Sequence, residues 1–168
     1  MTRNVDDVYT IFFDKVEEDV DFFSYYGIDD AEAMALAKER ASSYLRESIA
    51  YIKRQAELDF DLSLMVDESG MAAFTEEITD VEADILSEIM LMRYFERGLA
   101  KLKPKINVLS SSDLKVLHSP ANERTSYNEM LCSIRENIVD MISHYVAVDR
   151  LTGKRKMVEQ TIPGTDGE

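Results

Sequence analysis

Thr79-Asp80-Val81-Glu82-Ala83-Asp84-Ile85-Leu86-Ser87-Glu88-Ile89-Met90-Leu91-Met92-Arg93-Tyr94-Phe95 is the most strongly patterned run of the chain. Val81, Ile85, Ile89, Met92, Phe95, Leu99 and Leu102 recur every three or four residues, which places them on one face of a helix. Thr79 and Glu82 form a capping box, in which each side chain accepts from a backbone amide that the helix start leaves unpaired. Lys101 and Lys103 suit the negative end of the helix dipole. Pro104, which lacks an amide, is expected to end the helix.

Three more helices follow from the same reasoning. Upstream, Val5, Val8, Phe12, Val16, Val20 and Phe23 mark one face, with Asp14, Glu17, Glu18 and Asp21 largely on the other; Gly27 places the end near Tyr25. Phe13 and Phe22 fall off that stripe and, with Tyr25 and Tyr26, are candidates for contact between subunits. Asp29 caps the second helix, with Glu32 in capping-box position, and Met34, Ala37, Ala41, Leu45, Ile49, Ile52 and Ala56 continue its apolar face. The helical period is lost from Leu58 to Glu77, a loop that holds one short helix or an extended piece. Downstream, Tyr127, Met130, Leu131, Ile134, Ile138, Met141, Ile142 and Tyr145 set a fourth helix from about Ser126 to Tyr145. Before it, Ser110-Ser111-Ser112-Asp113 can cap a turn through Leu117 that Pro120 breaks. The fold class is therefore mainly α, a bundle of about four helices. Its expected core holds Phe12, Val16, Leu45, Ile49, Ile85, Ile89, Met92, Ile134, Ile138 and Met141.

The last twenty residues change character. Tyr145 to Val148 and Met157 to Ile162 flank Thr152-Gly153 and read as a β-hairpin, with a basic turn of Arg150, Lys154, Arg155 and Lys156. An isolated hairpin is marginal in water. This divides the chain into a helical domain, residues 1–148, and an extended arm, 149–168. In the arm, Val146, Val148, Arg150, Lys154, Arg155, Lys156, Met157, Val158 and Ile162 are expected to dock on a partner.

Composition excludes several functions. The 168 residues carry a net charge of -14. Residues 1–90 hold 23 acidic and 7 basic side chains, whereas residues 91–168 hold 10 and 12. A field of that sign repels phosphate, so the N-terminal half does not suit gripping nucleic acid. It suits a surface past which DNA slides, or one that docks on a basic protein. Cys132 is the only cysteine, which rules out an internal disulfide, and Met1 to Asn4 lack the apolar run of a signal peptide; a reducing, cytoplasmic setting is expected. Apolar runs such as Ile89 to Met92 are far shorter than the roughly 20 residues of a membrane span.

Catalytic and cofactor motifs are missing from the sequence. The scattered glycines form no phosphate-binding loop, and His118 and His144 lack the spacing that sets metal ligands on one helical face. Cys132 falls among apolar positions, as a core residue would. Glu17-Glu18-x-x-Asp21 resembles the first acidic pair of helical magnesium-dependent nucleotide pyrophosphohydrolases, but the second pair, Glu77-x-x-Asp80, comes only at the start of the third helix. A solvated acidic face accounts for these carboxylates, so no catalytic, cofactor or metal residue is assigned and the chain is read as a non-enzyme.

Ile78-Thr79-Asp80-Val81-Glu82, the helix from Ile85 to Phe95 and the tail Val146 to Ile162 together resemble the small head-to-tail connector, or adaptor, proteins of tailed bacteriophages. The resemblance implies a virion neck protein assembled in the host cytoplasm. Such a protein forms a homo-oligomeric ring, usually of twelve copies, between the portal protein and a tail or stopper protein, and DNA passes through it without specific binding. Two other functions fit the composition: an acidic helical regulator that mimics DNA toward a basic protein, and the magnesium-dependent pyrophosphohydrolase.

Overall fold

The computed structural model describes residues 2–17, 20–23, 27–66, 71–108 and 120–156. Four long helices, α1 (Val5–Val16), α3 (Asp30–Gln55), α4 (Asp80–Val108) and α5 (Pro120–Val146), form a bundle, with one further turn, α2 (Val20–Phe23). α4 lies at the centre, packed by α1, α3 and α5. Arg3 bonds Asp80 and Lys15 bonds Glu88, so α1 runs parallel to α4. Arg97 bonds Ser43 of α3, while Glu82 and Glu96 meet Tyr145 and Arg135, so α5 runs antiparallel to α4.

The caps explain where the helices start. Asn4 and Asp7 bond each other's amides at 2.8 and 2.9 Å to open α1, Asp29 accepts from the Glu32 amide to open α3, and Thr79 and Glu82 close the box ahead of α4. Pro120 opens α5; at the first helical position its missing amide costs nothing, because that amide has no partner in any helix, and the turn expected before it lies outside the described residues. The helix consequently starts ahead of the expected Ser126. α4 also continues through Pro104 to Val108. Proline there removes a single ladder bond, to the Ala100 carbonyl, which a helix of 29 residues tolerates.

The first helix is interrupted where a single helix to Tyr25 was expected. In one continuous helix Phe12 and Phe22 would be about 15 Å apart along the axis. Their rings instead meet edge to face with centroids 5.6 Å apart, so α2 lies against α1 and does not continue it. Phe22 is completely buried, and Phe13 packs against it at 5.9 Å. Phe22 is therefore not free to serve as a subunit contact, since burying its large apolar ring inside the chain is the stronger driving force, whereas Phe13 is half-buried. Tyr25 and Tyr26 lie outside the described residues.

Most of the expected core is buried: Phe12, Val16, Leu45, Ile49, Ile85, Ile89, Met92 and Ile138. Ile134 and Met141 are half-buried at its edge, whereas Val81 and Met34, placed on apolar stripes, are exposed. Gly98 lets α5 come close to α4: a Cβ there would lie 2.6 Å from the Tyr127 hydroxyl, which donates to the Phe95 carbonyl. The segment after α3 is extended, as one of its two expected forms allowed. β2 (Leu64–Val66) and β3 (Ala72–Phe74) make an antiparallel hairpin, and β4 (Ile78–Thr79) pairs with β1 (Thr2–Arg3).

Candidate docking platform

The described strands and the C-terminal turn gather where α1 and α4 begin and α5 ends. A buried polar cluster fixes this end. Glu82, 1% exposed, accepts from the Tyr145 hydroxyl at 2.5 Å, from Arg150 Nε at 2.8 Å and from the Thr79 amide at 2.7 Å. Arg150 also donates to the Glu77 carbonyl at 2.7 Å and sets its guanidinium 3.7 Å from the centre of the Phe60 ring. Burial alone would raise the Glu82 carboxyl, but the bonds from Arg150, Tyr145 and Thr79 outweigh it and hold the group below the usual carboxylate range. Burial first, and then the bond to the Glu82 carboxylate, push the Tyr145 phenol well above its ordinary value.

This cluster holds the described part of the expected docking arm, up to Lys156, against the bundle. Tyr145 and Val146 complete α5 and form no strand, since Tyr145 is needed on the helix face that meets Glu82. The turn beyond is tight: Val148 bridges Arg155, the Asp149 side chain accepts from Thr152, and Gly153 takes a positive φ of 66°. Arg150 is committed to Glu82, and Lys156 pairs with Asp59 at 2.7 Å. Burying the Glu82 carboxylate requires a cation from within the chain, which draws Arg150 inward and seats residues 148–156 on the bundle. Lys154 and Arg155 remain exposed, as does Val146, and Val148 is partly covered. Met157, Val158 and Ile162 lie outside the described residues.

Beside the cluster, a groove of about 700 Å3 runs between residues 71–77 and a wall that includes Arg3, Asp6, Tyr9 and Lys38. The wall charges are matched, Lys38 with Asp6 and Arg3 with Asp80. β3 is open on one edge. The Thr75 amide donates to the Ser63 carbonyl, and the register pairs Ala73 with Met65, so Ala73 points its N–H and C=O toward β2 while Ala72 and Phe74 point theirs away. Met65, Val66 and Met71 on the same hairpin are exposed, at 48, 72 and 64%. The arrangement offers backbone hydrogen bonds and apolar area together, which is what the addition of a partner strand requires.

The other candidates do not converge. Glu17 caps the far end of α1, about 20 Å along the helix from Arg3, and Arg3 is where Asp80 is paired. Among the described residues no group of three His, Cys, Asp or Glu side chains is placed to hold a metal ion, and no helix is long and apolar enough to cross a membrane. Cys132 is exposed on α5 and is not a core residue. His144 is exposed near the end of α5, and His118 lies outside the described residues. Sequence reasoning read Glu82 only as a helix cap and missed both Tyr145 as its partner and the groove. No local signal links Glu82 to a residue 68 positions away. Comparison with family models, curated proteins and solved structures gave no match.

Proposed function

We propose that this chain is an assembly protein of the tailed-bacteriophage neck, a subunit of a ring that joins the portal to the tail and continues the DNA channel. The observation that carries the reading is the platform: an open β3 edge beside a groove, flanked by exposed Met65, Val66 and Met71, on a bundle whose own core is already closed. Exposed apolar side chains clustered on one hairpin favour a protein partner over solvent. The net charge of -14 suits a wall past which DNA moves without adhering. The DNA-mimic alternative is less favoured, because carboxylates including Asp6, Glu47, Asp59, Asp61, Glu82 and Glu88 are engaged by the chain's own cations.

The test is to mix the purified chain with the portal protein encoded alongside it and to follow mass by light scattering and shape by electron microscopy. A ring stacked on the portal is expected. Ala72→Pro, which removes an outward amide while leaving the β2 ladder intact, should weaken binding at least about tenfold, roughly 1.4 kcal/mol. No binding of wild-type chain to the portal at high micromolar concentration would overturn the reading.

A further inference from the structure

The side of the bundle opposite α1 carries a different kind of surface. Lys15 of α1 contacts Asp84, Ser87 and Glu88 of α4. Arg93 lies about half a turn round the same helix from these residues, at 3.6 residues per turn. It lines a shallow cavity of about 490 Å3 with Glu47, Ala50 and Arg54 of α3. Both carboxylates near this cavity are already engaged: Glu47 holds Arg97, and Glu96 is shared by Arg93 and Arg135. One cation remains without a carboxylate among the described residues: Arg54 has only a backbone carbonyl, that of Ala50, as partner. Arg93 brings a second guanidinium to the rim, 22% exposed, and shares its carboxylate Glu96 with Arg135. On a chain of net charge -14, this cavity gathers two arginines beside one carboxylate that is already paired.

The complementary feature is on α1. Asp14 and Glu17, three residues apart and exposed, have no ion pair among the described residues. They stand at the C-terminal end of α1, where the helix dipole disfavours negative charge. Their three-residue spacing puts both on one face, so they present two carboxylates together.

We propose that the cavity at Arg54 and Arg93 receives the carboxylates Asp14 and Glu17 of a second copy of this chain. The two surfaces lie on opposite sides of α4, so the contact is head to tail, and repeating it propagates into a closed ring or an open filament instead of ending at a dimer. The proposal rests on the ring reading and supplies its lateral contact, whereas the strand platform serves the axial partner.

Sedimentation of the full chain across a concentration series, at low and high salt, tests it. Wild type should associate beyond a dimer and dissociate as salt rises, since the contact is charged. Arg54→Glu and Glu17→Lys, both at exposed positions, should each weaken association at least about tenfold with unchanged circular dichroism. The double variant, which restores opposite charges across the contact, should recover most of the loss. If wild type stays monomeric at every concentration, if neither single change alters association, or if Arg54→Glu weakens it and Glu17→Lys does not, the proposal is overturned. Portal binding separates the two hypotheses. A chain that stacks on the portal but ignores these charge changes keeps the connector reading and loses this contact. One that obeys the charge swap but does not bind the portal does the reverse.

Discussion

Two clamps hold distant parts of this chain together, and they use opposite chemistry. Near the middle of α4, Phe12, Phe22, Tyr44 and Tyr94 form an aromatic knot in which Phe22 meets Tyr94 edge to face at 5.5 Å and Tyr44 meets Tyr94 at 6.2 Å. It gathers α1, α2, α3 and α4. Arginines close its rim, Arg40 at 4.5 Å over Phe22 and Arg97 at 4.4 Å over Tyr44. At the start of α4, the Glu82 cluster joins α5 and the C-terminal turn to the bundle through one carboxylate. The knot gains from area removed from water and tolerates variation in geometry. The cluster buries the Tyr145 ring but depends above all on every bond being made, because a buried carboxylate lacking its partners is strongly unfavourable.

The comparison breaks most visibly at the knot. Phe12→Ala removes a completely buried ring and should cost about 3–5 kcal/mol in denaturant unfolding, lowering the midpoint for all helices at once. A loss below about 1 kcal/mol would mean that the core does not centre on this ring. At the polar clamp, Glu82→Ala leaves Arg150 and Tyr145 without their acceptor. Because Arg150 is 17% exposed, water can partly replace the lost bonds, so the expected cost is smaller, about 2–4 kcal/mol. Its signature should be local: cleavage by trypsin at Arg150 and Lys154 should accelerate well before the bundle unfolds. Equal sensitivity of the bundle and the turn would show that the two clamps form one cooperative unit.

The smallest expected effect sharpens the same contrast through pH. The Glu82 carboxyl is lowered in the folded state, so its contribution to stability is present above the unfolded value near 4.5 and is lost as pH falls through the lower folded value. The Tyr145 phenol is raised, so its contribution is present below the unfolded value near 10 and is lost as pH rises beyond that toward the folded value. The turn should therefore stay seated across the neutral range and loosen at both extremes, read by amide exchange at Asp149 and Lys156, both bonded within the turn. The knot holds no carboxylate and should not follow the acid limb of that profile. Loss of protection in the turn near neutrality would contradict the polar clamp.

The knot and the cluster also differ in how far the sequence announces them. Phe12 falls on a periodic stripe and was legible as core, but Phe22, one step off that stripe, was read as surface. Its burial depends on α2 lying against α1, a break in the helix that no glycine or proline marks. Thr79 and Glu82 were legible as a cap because their bonds are local, three residues apart. The second duty of Glu82 was not, since Arg150 arrives from the far end of the chain and its composition, a basic residue in a basic stretch, suggested an external partner. The groove is less legible still, because its walls come from residues 3–9, 38 and 71–77 and it exists only where they are brought together.

Amphipathic period, caps and composition thus determined the mainly α class, the helix starts at Asp29 and Thr79 and the acidic field, since each depends on residues within a few turns of one another. Tertiary structure decided the break between α1 and α2, the passage through Pro104, the inward turn of Arg150 and the separation of an open strand edge from an arginine-lined cavity. These outcomes are set by burial and by the pairing of charges across the bundle, interactions between residues tens of positions apart whose strength depends on surroundings that exist only after the chain has folded.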